Sequence, residues 1–195
     1  MNRPLPTHSR VTLAEVIGPP ELASGKQEAL CRLTLLACIL VAAASGRASA
    51  QMPERFRVPE DETGFAVRLA VEGAATRLAG AGCRELFADF SDATGQRLST
   101  TLAASGKSPA EAFGLLRFSD DRETPLCRSS VTLAFTLTGS RFIRVCGRHF
   151  RNEFMRNRTT AENVLIHELL HALGLGENPP SSNAITRQVA VRCGG

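Results

Sequence analysis

Residues 159–180, TTAENVLIHELLHALGLGENPP, contain His167-Glu168-Leu169-Leu170-His171, and the rest of the chain has to be arranged around this segment. On a helix, two histidines four residues apart stand on one face a turn apart, with Glu168 beside the first. Imidazoles ligate zinc, and a carboxylate next to the ligand set can take a proton from water. The spacing therefore supplies both halves of a hydrolytic site. Other residues support the helix independently. Thr159 with Glu162 three residues on matches a capping box, and Val164, Leu165, Leu169 and Leu173 recur at roughly helical spacing. Gly174 suits a left-handed cap, and Pro179 and Pro180 bar the helix from resuming. A helix ending there lets the chain turn back toward the histidines with Glu177, the only carboxylate after Glu168.

The segment HELLHALGLGE resembles the zincin metallopeptidases, and its spacing is closest to the long zinc motif of the metzincins. His167, Glu168, His171 and Gly174 match that motif position for position. The last ligand position falls on Glu177, where the family carries His or Asp. The family's Met-turn has no counterpart, since the last methionine is Met155. The resemblance implies an α+β, zincin-like fold in which a mixed β-sheet packs on the active-site helix and an edge strand borders the substrate cleft. It further implies Zn2+ held by His167, His171 and Glu177, Glu168 as general base, and a peptide or protein substrate. From a different class, a non-catalytic, zinc-stabilised binding or structural module retaining the same stem accounts for the motif too. His149 is the substitute ligand should Glu177 face solvent, and Arg187 is the nearest cation for a developing oxyanion.

Residues 1–50 do not read as a folded domain. Lys26 and Arg32 precede an apolar run over 33–44, and Ala48-Ser49-Ala50 offers the small residues that a signal peptidase selects. The run is too short for a permanent membrane span, so a secreted or periplasmic protein with no stable membrane insertion is expected. Residues 51–195 then form one domain, expected to be monomeric, with enough chain for a single core. It has 18 Lys plus Arg against 16 Asp plus Glu, so the formal charge of +4 owes half its value to the leader. A basic run from Arg141 to Arg158 lacks interleaved aromatics, and the chain has neither Tyr nor Trp; a solvated arginine face is expected, with no nucleic-acid partner.

Of six cysteines, Cys31 and Cys38 belong to the leader. Cys83, Cys127, Cys146 and Cys193 form an even set without a Cys-x-x-Cys pair, which in an exported chain predicts two disulfides in one of three pairings. Elsewhere, a polar lead-in runs to Thr63, strands are expected near 65–69 and 85–90, and helix formers fill 72–79. Ser108-Pro109-Ala110-Glu111 predicts a capped helix start. Residues 131–136 and 142–146 alternate as a hairpin directly before the zinc helix, and one of these strands is the candidate cleft edge. Residues 185–191 form a strand or a short helix.

Overall fold

The computed structural model describes residues 55–128 and 131–194. The leader, with Cys31, Cys38 and the signal-like run, lies outside the described residues. Strand β1 is Phe56–Arg57, followed by helices α1 (Glu62–Leu78), α2 (Ala81–Asp89), α3 (Leu98–Ser105) and α4 (Pro109–Gly114). Strand β2 (Arg117–Asp120) and the single turn α5 (Pro125–Arg128) precede the hairpin strands β3 (Ala134–Phe135) and β4 (Phe142–Val145). Helices α6 (Gly147–Arg156), α7 (Arg158–Ala172) and α8 (Ser182–Cys193) complete the chain. The sheet has the order β1-β2-β4-β3, with β1, β2 and β4 parallel and β3 antiparallel at the edge. The architecture is a mixed α+β fold whose small mixed sheet packs against α7 through β3 and β4.

Two segments expected as strands are helical. In α1 the buried residues are Ala66, Val67, Ala70, Val71, Ala74 and Leu78, a helical stripe, while Phe65 points to solvent at 60 % exposure. The short alternation of Phe65, Val67 and Leu69 hid this because Ala66 and Ala70, weakly apolar in the sequence, are themselves core residues. In α2 the buried set Cys83, Leu86 and Phe87 likewise follows helical spacing. Asp61 caps α1 by accepting from Thr63 N–H at 2.8 Å and Gly64 N–H at 3.1 Å. The Ser108–Glu111 capping box forms as expected, and Gly106 ends α3 in the left-handed region at φ 65°.

Helix α6 stands between the hairpin and α7, where a direct connection was expected. It buries Phe150 and Phe154, one turn apart. The arginines of the run from Arg141 to Arg158 are largely exposed, and four of them are ion-paired: Arg151 with Glu62, Arg156 with Glu153, Arg158 of α7 with Glu162, and Arg144 of β4 with Asp121. In the hairpin the buried side chains are Ala134 of β3 and Ile143 and Val145 of β4. Phe135 lies half-buried beneath the Arg144 guanidinium, 5.8 Å from its ring centre, and Val131 is exposed.

Helix α7 is buried along nearly its whole length, so it carries polar residues where a surface helix would carry solvent-facing ones. Its cap is Asn157, whose side chain accepts from Thr160 N–H at 3.1 Å; the Thr159–Glu162 box does not form. Glu162 instead lies 4 % exposed, held by Arg77 Nε at 2.6 Å and Arg158 Nε at 2.8 Å. Arg77 also donates to Cys193 C=O at 2.8 Å and Thr159 Oγ1 at 3.0 Å, tying α1, α7 and the end of α8 together. The disulfides are Cys83–Cys193 and Cys127–Cys146. The first fastens α8 to α2, an attachment reinforced by Arg192 bonding Asp89 and Glu85.

The Glu162 clamp sets the sign of an otherwise favourable substitution. Ala is better than Gly in a helix interior by about 1 kcal/mol. At Gly73, however, a Cβ would overlap the Glu162 carboxylate, which two guanidinium groups hold in place. Displacing one partner of a buried ion pair costs about 3–5 kcal/mol. Gly73→Ala should therefore destabilise the fold by about 2–4 kcal/mol net, as measured by chemical denaturation.

Candidate metal centre

Three side chains from the end of α7 and the loop after it come together. His167 Nε2 and His171 Nε2 lie 2.9 Å apart. Glu177 Oε1 is 3.4 Å from His171 Nε2 and 3.8 Å from His167 Nε2. Helical spacing supplies the first two. The third depends on Gly174, whose φ of 111° reverses the chain and whose N–H closes the helix on His171 C=O at 3.0 Å. Both histidines are buried, whereas the Glu177 side chain is 40 % exposed, so the group is closed toward the core and open on one side.

The outer nitrogens of the imidazoles are also engaged. His171 Nδ1 meets Leu175 C=O at 2.8 Å; a carbonyl only accepts, so Nδ1 carries a hydrogen, which in the neutral ring leaves the lone pair on Nε2. His167 Nδ1 lies 3.0 Å from Thr186 Oγ1 on α8. Burial pushes His167 down to about 4, with His171 acting in the same direction and Glu177 against it, so its ring is neutral near pH 7. The residues fit a metal ion. Two imidazole nitrogens and a carboxylate oxygen face a common point, and a tetrahedral ion with bonds of about 2.0–2.1 Å keeps its ligand atoms about 3.3 Å apart. The His167, His171, Glu177 group can hold such an ion.

Glu168 lies beside this group, 5 % exposed. Its Oε2 has no hydrogen-bond partner among the described residues. Burial pushes its carboxyl up to about 8, the charge of Glu177 adds to the effect, and a hydrogen bond from the Thr136 backbone opposes it. Thr136 directly follows β3. The Cys146 N–H donates to Leu133 C=O at 2.9 Å, so the main-chain groups of Leu133 and Phe135 face β4 while those of Ala134 and Thr136 face the open edge. Residues 132, 134–138, 167, 168, 171, 177 and 182 line a cleft of about 380 Å3 in which the histidines, Glu168 and Glu177 meet this edge.

Two further sequence candidates lie apart from the centre. His149 lines a separate polar cleft with Arg122, Arg128 and Arg148, and so is no substitute ligand. Arg187 is exposed on α8 and is not among the described residues lining the metal cleft. Thr186 and the Leu175 carbonyl were not anticipated. Leu175 was within reach of a helix-end argument, but Thr186 becomes relevant only once α8 folds back across α7. Comparison of the chain with family models, curated proteins and solved structures gave no match.

The two shifted groups give metal-free protein a definite pH dependence. His167 binds a proton in the unfolded chain below 6.5 but in the fold only below about 4, so it raises stability as pH climbs between these values. Glu168 keeps its proton in the fold up to about 8 against 4.5 when unfolded, so it lowers stability as pH climbs across that interval. The two effects oppose each other between 4.5 and 6.5, and from 6.5 to about 8 only the Glu168 decline remains. Thermal melting of chelator-treated protein should fall across this upper window, and Glu168→Gln should flatten it.

Proposed function

We propose that the protein is an exported zinc-dependent peptidase of zincin type, with His167, His171 and Glu177 as ligands and Glu168 as general base. The observation that supports it best is the juxtaposition of the three ligating atoms, an extra buried carboxylate and an open strand edge in one cleft. A merely structural metal site has no use for the last two. Two histidines with one carboxylate is a donor set suited to catalytic zinc, and the exposed side of Glu177 leaves room for a fourth position. The mixed sheet on the motif helix, with its antiparallel strand at the cleft, agrees with the zincin arrangement. The two disulfides suit an oxidising compartment. Among the described residues no helix is long and apolar enough to cross a membrane.

Zinc bound here would supply Lewis-acid polarisation of the scissile carbonyl and of the attacking water. The chain's own residues do the rest. The outward main-chain groups of Ala134 bond an extended peptide strand to strand, which positions it without demanding particular side chains. Glu168 accepts the proton of the attacking water and delivers it to the departing amine. Its environment favours a carboxyl that takes up a proton readily, and the Thr136 N–H holds it in orientation.

The non-catalytic reading draws on one feature: the described cleft residues include Thr and Ser hydroxyls but no Tyr, Arg or third His to stabilise an oxyanion. A single variant separates the two. Glu168→Gln should retain one zinc per chain and lose peptide hydrolysis by about 10²–10⁴-fold, measured by metal analysis beside a peptide-library digest. Wild-type protein that binds zinc but cleaves nothing in the library would favour the non-catalytic module.

A further inference from the structure

We infer that Thr186 is a positioning residue for the metal centre: its hydroxyl accepts the Nδ1 hydrogen of His167 and so commits Nε2 to the metal. The inference rests on the metal-site reading above and extends it to a residue outside the motif. A histidine can ligate through Nε2 only when its hydrogen sits on Nδ1, and the partner of the second nitrogen decides which arrangement is populated. For His171 that partner is Leu175 C=O, a group of the same helix end. For His167 it is Thr186 Oγ1 at 3.0 Å, nineteen residues downstream on another helix.

The hydroxyl is well held for this role. Helix α8 buries Ile185 and Val189 on either side of Thr186 in sequence, and its Ser181 cap accepts from Ala184 N–H at 3.4 Å. At the far end Cys193 is bridged to Cys83, while Gln188 and Arg192 both bond Asp89 of α2. A helix fixed at both ends keeps the hydroxyl in register with the imidazole. Thr186 itself is exposed, so replacing it opens no cavity in the core.

The test compares zinc affinity of oxidised wild-type, Thr186→Val and Thr186→Ser protein by competition with a chromophoric chelator. Val keeps the shape and removes the acceptor; Ser keeps the acceptor. Val should weaken zinc binding by about 10-fold or more, the usual effect of removing such a partner, and Ser should stay near wild type. Metal-free melting temperatures of the three should coincide, and long-range nitrogen–proton spectra of zinc-loaded wild type should place the His167 hydrogen on Nδ1. Zinc held equally well by wild type and Val would overturn the role of Thr186 while leaving the metal centre intact. A Val variant that loses zinc only in proportion to lost folding would overturn it as well. Wild-type protein that takes up no zinc would overturn the metal reading itself, and this role with it.

Discussion

Burying a helix that carries five polar side chains is the constraint on which the rest of this structure depends. Glu162, Asn163, His167, Glu168 and His171 are all less than a tenth exposed on α7. Each would be costly without a partner, since an unpaired buried polar group forfeits its hydration with nothing in return. The surrounding elements supply partners to four of the five, while Asn163 Oδ1 and Glu168 Oε2 have none among the described residues. Helix α1 brings Arg77 to Glu162, the loop after α7 brings Leu175 C=O to His171, α8 brings Thr186 to His167, and β3 leads into the Thr136 N–H for Glu168. The fold is a set of contacts that make one polar helix tolerable in a core.

That view explains why the chain end is fastened so firmly. Cys83–Cys193 joins residues 110 apart, and closing a loop of that size restricts the unfolded chain by about 4–5 kcal/mol in the loop-entropy picture. The same residue's carbonyl receives Arg77, the guanidinium that holds Glu162. The clamp on α8 and the ion cluster beneath α7 therefore share an atom group. Stability at the carboxyl end and placement of the motif helix are linked through the backbone of Cys193.

Legibility of the sequence followed the range of the interactions. The 167–171 spacing, the Gly174 reversal, the Ser108–Glu111 box and strand β4 are local, involving residues within a few positions of one another, and all were visible beforehand. The first half of α1 reads as a strand because Ala66 and Ala70 are weak apolar signals in a sequence, yet both are buried in the fold; in α2 the close run of Leu86, Phe87 and Phe90 hides the helical spacing of Cys83, Leu86 and Phe87. Glu162 looked like a cap because its distance from Thr159 is right; its true partner, Arg77, lies 85 residues earlier. The disulfide pairing and Thr186 depend on how whole elements dock. No short-range pattern encodes them.

The charges at the centre form a consistent whole only when the three ligating atoms are considered together with Glu168. His167 is neutral near pH 7, and Glu177 contributes a negative charge close to a second, more deeply buried carboxyl. Burial is the main reason that Glu168 holds its proton up to about 8, and the negative charge of Glu177 nearby adds to it. A cation at the point where His167, His171 and Glu177 converge reverses that relation, since a bound divalent ion becomes the largest local charge and favours the anionic form of every nearby acid. With an ion there, Glu177 would offset positive charge and Glu168 would be favoured as a carboxylate able to accept a proton. The arrangement that is electrostatically awkward for two acids alone would be coherent around an ion, which the partly exposed side of Glu177 leaves room to enter.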